Sequence, residues 1–177
     1  YTNVADTRTD GIELTGNYQW NLEQWGRLNL SSGFAKNRTK ITALRDVGTI
    51  KGSQIVGRNT QGLIEEGTPE TKLTLSANWL YENWGVTVAQ RRYGEWISRN
   101  ATNPSLDQTY SPQWVTDLDL SYTFDKGLKV SVGAINLFDT HPDKANGAQL
   151  YGVPIYSITS PDGAQGAFYY TSVSYDF

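Results

Sequence analysis

Apolar and polar residues alternate with a period of two along much of the chain, as in a β-strand with one face in an apolar environment. The clearest example ends the chain: from Tyr169 onward the odd positions are mainly aromatic or apolar and the even ones mostly polar. The same alternation recurs and predicts seven strands in all. They are residues 11–20, 27–35 and 70–80, a strand that starts at 86, and residues 116–124, 128–134 and 168–177.

The connections between these strands alternate in length. Tight turns and long loops follow one another in the order 21–26, 43–69, 81–85, 97–113, 125–127 and 140–166. Compact soluble domains seldom contain structureless loops longer than about 15 residues, whereas outer-membrane β-barrels combine short periplasmic turns with long extracellular loops. The alternation also changes phase at Ile135 and Leu137, where we expect a bulge or a departure of the chain from the membrane zone. The layout favours a membrane barrel whose C-terminus is periplasmic.

The six tryptophans lie near the ends of the predicted strands. Those beside short turns are Trp20, Trp25, Trp79 and Trp84, and those beside a long loop are Trp96 and Trp114. Amphipathic rings at both ends of an apolar band are typical of the aromatic girdles of membrane barrels. A twisted sheet with one solvated face would instead place its rings through the strand centres, so the pattern favours two girdles.

The alternation also assigns each strand residue to a face, because charged residues keep to one parity within each strand. A slip of one residue would reverse every assignment. The residues expected to face lipid are Leu73, Leu75, Leu118, Leu120, Val130 and Val173. Those expected to face the lumen are Lys72, Asn78, Asp117, Asp119, Lys129 and Ser174.

The strand number sets the domain organisation. Seven strands would leave two edges without backbone partners in lipid, and bacterial single-chain barrels have even strand numbers. We therefore expect an all-β fold in which residues 1–177 form the C-terminal, seven-strand portion of a larger antiparallel transmembrane β-barrel. Plugged transporters of this architecture have about 22 strands, so the plug domain and the earlier strands are expected elsewhere. By itself the chain should not form a stable closed barrel.

Composition narrows the function classes. The sequence contains no cysteine, which excludes thiol chemistry and Cys-based metal sites, and its net charge of −3 argues against binding to nucleic acid. His141, the single histidine, has no second ligand at a fixed spacing and is interpreted as a solvated loop residue. Carboxylates such as Asp117 and Asp119 fit salt bridges in a wet lumen better than acid–base catalysis. No catalytic residues, metal site or cofactor are predicted, and the chain is not expected to be an enzyme.

Two basic clusters, residues 36–40 and 91–92, lie near the long-loop ends of strands. Ordinary rim charge is the favoured interpretation, with contact to lipopolysaccharide phosphates as an alternative. Arg91 and Tyr93 share the polar parity of their strand, so we predict that they lie on the upper lumen face. There a fixed cation and a ring suit an anionic or aromatic chelate. The alternative is that Arg91 merely pairs with the carboxylates at 117 and 119.

The last part of the sequence resembles the end of a TonB-dependent outer-membrane receptor. The motifs are Val-Gly-Ala-Ile-Asn-Leu-Phe-Asp at 132–139, His-Pro-Asp-Lys at 141–144 and Gly-Ala-Phe-Tyr-Tyr-Thr-Ser-Val-Ser-Tyr-Asp-Phe at 166–177. The resemblance implies a location in the bacterial outer membrane and a scarce ligand bound by extracellular loops. That ligand is most often a ferric siderophore, and otherwise haem, cobalamin, a metal or a glycan. Here these loops are 43–69 and 140–166. It also implies that the TonB complex acts through the plug.

Two further expectations accompany this resemblance. The outward residues of the last strand resemble the C-terminal signal that the barrel-assembly machinery reads, and they are Tyr169, Val173, Tyr175 and Phe177. The function implied is TonB-energised uptake of a scarce ligand. A passive porin or structural outer-membrane barrel is the alternative, since it shares the alternation, the girdles and the terminal phenylalanine.

Overall fold

A seven-stranded antiparallel sheet forms the body of the protein, in a computed structural model that describes residues 3–146 and 155–175. Its strands follow chain order, so each pairs with the next one of the sheet. They are β1 (Ala5–Asn21), β2 (Arg27–Leu44), β3 (Thr71–Tyr81), β4 (Trp84–Tyr93), β7 (Gln113–Thr123), β8 (Leu128–Ile135) and β9 (Phe168–Tyr175). The seven predicted strands are confirmed as the seven strands of this sheet.

The register keeps the two parities on opposite faces of the whole sheet. One ladder on the polar face runs through Asn17, Ser31, Ser76, Ala89 and Asp117. The adjacent ladder on the other face includes Leu30, Ala77, Val88 and Leu118. The two predicted sets therefore lie on opposite faces, as the alternation required.

Strands β1 and β2 are longer than predicted. The predicted strands begin at residue 11 and stop at residue 35, but the hairpin pairs as far as Ala5 with Leu44. Both faces of this extension carry polar side chains, so alternation does not reveal it. The Thr9 and Thr39 hydroxyls form a cross-strand hydrogen bond of 2.8 Å, the kind of pair that stabilises adjacent strands.

The long loops contain secondary structure that the alternation of apolar and polar residues does not predict. Helices α1 (Gly52–Ile55) and α2 (Arg58–Glu65) follow β2, and the strands β5 (Trp96–Ser98) and β6 (Gln108–Tyr110) form a small hairpin between β4 and β7. Among the described residues, no helix is long and apolar enough to cross a bilayer.

The tight turns are built at the other end of the sheet. Gly26 ends the first turn at a φ of +87°, and a Cβ there would lie 2.1 Å from the Leu80 carbonyl oxygen, so glycine is required for β3 to approach. Residues Asp125–Gly127 form a single 3-10 turn between β7 and β8, as predicted. Strand β8 ends at Ile135, where the phase of the alternation changes.

Five of the tryptophans named for the girdles lie at or near the ends of sheet strands, and the girdles themselves stay a prediction. Trp20, Trp84 and Trp114 are about half exposed, at 53%, 44% and 47%, and the Trp79 indole donates a 2.8 Å hydrogen bond to the Trp25 carbonyl. Trp96 is different. It is 1% exposed and stacks on Tyr110 in the β5–β6 hairpin, with ring centroids 5.0 Å apart. The structure therefore removes Trp96 from the predicted girdle, because the loop hairpin needs its ring as a core.

Candidate functional site

Arg91 and Tyr93 are the predicted ligand contacts, and both lie on the polar face near the loop end of β4. The Arg91 guanidinium forms a forked ion pair with Asp117, which stands diagonally across on β7. Asp119, the other carboxylate named as an alternative partner, instead accepts a 2.8 Å hydrogen bond from the Tyr170 hydroxyl on β9. The pairing that was named as the alternative to a ligand contact for Arg91 is thus present with one of the two carboxylates.

Asp117 is held from two sides. Besides the guanidinium, one of its oxygens accepts a hydrogen bond of 2.9 Å from the backbone N–H of Asn136. A carboxylate that accepts several charge-assisted or backbone hydrogen bonds has little freedom to rotate. Asp117 is therefore a fixed part of the wall, and it joins the predicted ligand residue to the end of β8.

Asn136 organises the chain as it leaves the sheet. Its side chain donates to the carbonyls of Thr140 (2.8 Å) and Gln165 (3.3 Å), and its oxygen accepts from the Thr140 N–H (2.9 Å). The residue is 3% exposed and has a φ of +53°. Asparagine suits this position because it tolerates the left-handed conformation and carries both a donor and an acceptor.

Asp139 completes the same turn. Its backbone N–H donates to the Asn136 carbonyl (2.9 Å), and its Oδ1 accepts from the Ala167 N–H (2.8 Å) at the start of β9. A Cβ on Gly166 would lie 2.3 Å from that oxygen, so the close approach needs a glycine. The Asn-Leu-Phe-Asp motif at 136–139 therefore fixes where the last long loop leaves and rejoins the sheet.

Asp162 is a site residue that sequence reasoning missed. Its Oδ1 accepts a hydrogen bond of 3.2 Å from the Tyr93 hydroxyl and lies 3.3 Å from Arg91 Nε. It belongs to a Ser-Pro-Asp-Gly turn at 160–163, a composition typical of type I turns. The turn could be recognised from sequence, but its contact with β4 could not, since about 70 residues separate them.

A pocket of about 380 Å³ lies between the wall and this loop. It is lined by Arg91, Ile135, Asn136, Asp162, Gln165, Gly166 and Phe168. One guanidinium and one carboxylate line it directly, with amide groups and an aromatic ring beside them. Such a mixture of apolar surface and few convergent polar groups is typical of small-molecule sites.

The other two long loops join into one unit, which we call the loop module (residues 45–70 and 94–112). Arg58 on α2 donates to Asp107 (2.7 Å) and to the Asn100 carbonyl (2.7 Å), and Arg99 pairs with Glu66. The hydrogen bonds from Arg58 lower the pKa of Asp107 from 3.8 to about 2. Sequence reasoning missed this network, because its charges lie on different loops.

His141 packs against other residues of its own loop. Its ring stacks on Tyr156 with centroids 5.2 Å apart, and Nδ1 is 2.8 Å from the Asp139 carbonyl oxygen. Within the described part of the chain, no group of three His, Cys, Asp or Glu side chains is arranged to hold a metal ion.

The basic clusters divide between the faces. Arg91 is on the polar face, whereas Arg92 is on the apolar face, where its guanidinium lies 5.7 Å from the centre of the Trp114 ring. Arg38 is 3.4 Å from Glu70, near the same end of the sheet. Arg92 is thus a neighbour of Arg91 in sequence but not in the site.

The predicted assembly residues share the apolar face of β9. Tyr169, Val173 and Tyr175 are 66%, 66% and 49% exposed. Phe177, the fourth residue of that set, lies outside the described residues. The predicted ligand loop 140–166 is likewise described only at 140–146 and 155–166.

Comparison with known proteins identifies the architecture. Residues 1–137 match the family described as TonB dependent receptor-like, beta-barrel. The copper transporter OprC is 20% identical with a TM-score of 0.60, over 99% of this chain and 24% of OprC. The pyoverdine outer membrane receptor FpvA from Pseudomonas aeruginosa PAO1 is 19% identical with a TM-score of 0.59, over 97% of this chain and 22% of FpvA.

A third solved structure agrees. The ferric-catecholate import receptor Fiu from E. coli K12 is 21% identical with a TM-score of 0.53, over 77% of this chain and 17% of Fiu. The chain thus spans about a fifth of the length of the solved structures that it matches. No curated protein matches the sequence significantly. The family match and the shared sheet show that the chain belongs to the TonB-dependent receptors, as part of their antiparallel β-barrel in the bacterial outer membrane.

Proposed function

We propose that this chain is the C-terminal part of the barrel of an active transport receptor, which takes up a scarce ligand with energy from the TonB complex. The expected ligand is a ferric siderophore. The observation that supports this most is the pocket between β4 and the last loop, which Arg91 lines and beside which the buried Tyr93 donates a hydrogen bond to Asp162. The relatives described above include a pyoverdine receptor and a ferric-catecholate import receptor, which take ligands of that class.

The proposed chemistry is recognition, not catalysis. An anionic chelate gains charge-assisted hydrogen bonds from the guanidinium, and an aromatic chelate gains a ring partner in Tyr93. A barrel-lumen site is favoured for such contacts because its walls lower the effective dielectric constant and strengthen electrostatic attraction. Neither Arg91 nor Tyr93 is proposed to form a covalent intermediate or to transfer a proton.

The partners follow from the same proposal. The TonB complex would act through the plug domain, the barrel-assembly machinery would read the last strand, and lipid with lipopolysaccharide would surround the apolar face. A passive porin is the alternative function. It predicts uptake that does not depend on the proton gradient, and energised transport predicts uptake that does.

The test uses cells that express the receptor carrying this chain. Uptake of ⁵⁵Fe is measured with ferric citrate, ferric enterobactin and ferrioxamine B, with and without a protonophore. We expect energy-dependent uptake of at least one chelate. The proposal would be contradicted if uptake of all three chelates were unaffected by the protonophore. It would also be contradicted if uptake of none of them exceeded that of cells without the receptor.

The double variant Arg91→Ala with Tyr93→Ala tests the site. We expect weaker binding of the transported chelate, by about tenfold or more if a charge-assisted hydrogen bond worth at least 1.4 kcal/mol is lost. Arg92→Ala is the matched control, because it removes the same charge from the opposite face. Unchanged affinity of the double variant, with normal surface levels, would remove both residues from the site.

A further inference from the structure

The Arg91 site contains two carboxylates that are held very differently. Asp117 accepts hydrogen bonds from both terminal nitrogens of the guanidinium and from the Asn136 N–H. Asp162 approaches Nε at 3.3 Å without the alignment of a hydrogen bond, and Nε is a buried nitrogen with no hydrogen-bond partner. Its other contact, from the Tyr93 hydroxyl, is 3.2 Å long, beyond the usual range for an O–H donor. Asp117 is therefore fixed and Asp162 is weakly attached.

Asp162 lies in a turn, residues 160–163, that is closed by hydrogen bonds between its own residues. The Gly163 N–H donates to the Ser160 carbonyl (3.1 Å), and the Ser160 hydroxyl donates to the Gly163 carbonyl (2.8 Å). Gly163 has a φ of +72°, as the end of such a turn requires. Because these bonds lie within residues 160–163, the turn can leave the wall without losing its own structure.

The flanks of the turn are fixed at both sides. The Ala145 N–H donates to the Ile155 carbonyl (2.7 Å) before it. After it, the Asn136 amide reaches the Gln165 carbonyl, and Asp139 holds Ala167. The segment between these anchors contacts the wall through Asp162 and through Ser160, whose Oγ is 3.4 Å from Gln113 Oε1. A displacement of turn 160–163 therefore breaks the 3.3 Å Arg91–Asp162 ion pair, the 3.2 Å bond from Tyr93 and the 3.4 Å contact of Ser160, none of which is a short hydrogen bond.

We infer that Asp162 is a built-in competitor that latches turn 160–163 onto Arg91 and Tyr93 until an anionic ligand replaces it. This inference rests on the proposed function, since it concerns the regulation of the same site. One guanidinium already faces two carboxylates, so a further anion beside it would meet net negative charge. When Asp162 leaves, the anion gains the Nε–H and the Tyr93 hydroxyl that Asp162 held. Binding of the ligand and release of turn 160–163 are then coupled.

The first experiment measures the latch without any ligand. The chain contains no cysteine, so Asn83→Cys and Ala164→Cys can carry nitroxide labels in the receptor, one at an exposed tight turn and one beside the latch. Strand β4 has 10 residues, so pulsed electron resonance should report a separation of about 30–40 Å. We expect Asp162→Ala to broaden and lengthen a distribution that is narrow with Asp162 present.

The matched control is Asp143→Ala, which removes the same charge from the same long connection. Asp143 accepts a 2.7 Å hydrogen bond from the Ser111 N–H, away from Arg91. We expect this variant to keep the narrow distribution at position 164. An unchanged distribution in Asp162→Ala would overturn the latch, and so would equal broadening in both variants.

The second experiment measures competition. Ferric citrate and ferric enterobactin are anionic and ferrioxamine B is cationic, so the latch predicts opposite responses of the two charge types. In Asp162→Ala the anionic chelate that the receptor transports should bind about fivefold more tightly, the factor expected if the latch is closed about four-fifths of the time. Equal or weaker binding than with Asp162 would overturn the inference. If no chelate is transported, the proposed function fails, and the ligand-free distance measurement still decides the latch.

Discussion

At the scale of single residues, the loop end of the barrel wall is held by asparagine and aspartate side chains that bond to backbone. Asn136 joins Thr140 and Gln165, and Asp139 joins Ala167. Buried polar groups of this kind contribute modestly when satisfied, but they are costly when a partner is removed. The Asn-Leu-Phe-Asp motif at 136–139 therefore holds the two ends of the last long loop to the sheet.

Asn136→Ala tests that role. The substitution leaves the backbone N–H of Thr140 and two carbonyls without their partner, so we expect a loss of about 1–3 kcal/mol of stability. The measurement is the temperature at which the folded receptor loses its heat-modifiable band on gels. Asn17→Ala on the exposed face of β1 is the control and should change little. Equal band-loss temperatures for the two variants would contradict the role.

Asp107 gives the loop module a predictable response to pH. Its pKa is about 2 in the folded state, against an ordinary value of 3.8. A depressed pKa means that the ionised form is stabilised by folding, so this stabilisation is complete above about pH 4 and is lost as the pH falls through about 2. Pepsin, which is active in this range, should cut loop 94–112 only near the lower end.

Asp107→Asn supplies the control for that pH dependence. Without the carboxylate, Arg58 loses its ionic partner, so the loop should be cut at pH 4 as readily as at pH 2. Cleavage of the unsubstituted loop at pH 4, while the barrel remains folded, would show that the pair does not hold the module.

At the scale of elements, the loop module depends on a close approach between α2 and residue 99. A Cβ on Gly62 would lie 2.8 Å from the Cβ, Cγ and Cδ atoms of Arg99, whose aliphatic stem crosses the helix there. The approach brings the Arg99 head group to Glu66. The exposed ion pairs by themselves contribute only about 0–1 kcal/mol each, so the packing of the stem is expected to matter as much as the charge.

Gly62→Ser should therefore separate α2 from the β5–β6 hairpin and raise the rate at which trypsin cuts after Arg58 and Arg99. Gly57→Ser is the matched control, because its Cβ would meet Asn59 at an ordinary 3.5 Å and serine is a favourable residue at a helix start. If both variants are cut at the same rate as the unsubstituted receptor, the module is not held by this approach.

Alternation identified the sheet elements because a period of two is visible wherever one face is apolar. Leu73 to Trp79 and Leu118 to Tyr122 carry that signal, and the structure puts them on one face. The signal fails for residues 5–10 and 36–44, where both faces are polar, and for α2, which carries few apolar residues. Asp162 and the loop module could not be predicted, because their partners are distant in sequence and brought close by the strand order.

At the scale of the whole molecule, the two faces should differ sharply in what they tolerate. Leu75 lies on the apolar face and Ser76, its neighbour, on the polar one. Leu75→Arg should cost about 2–4 kcal/mol if it lies near the middle of the bilayer, whereas Ser76→Arg should cost little. Folded yield in the outer membrane measures the difference. Similar yields for the two variants would contradict the assignment of the faces.

Strands β1 and β4 differ in length, so the extracellular rim of the barrel wall is uneven. Strand β1 has 17 residues and β4 has 10, which at about 3.3 Å per residue give about 55 and 33 Å of wall. With the usual tilt of about 40°, the strands on one side of the mouth rise roughly 17 Å higher than those on the other. On the β1–β2 side the rim is therefore made of paired strands, whereas beyond β4 the chain continues into the loop module, so a ligand that approaches on that side meets loops instead of strands.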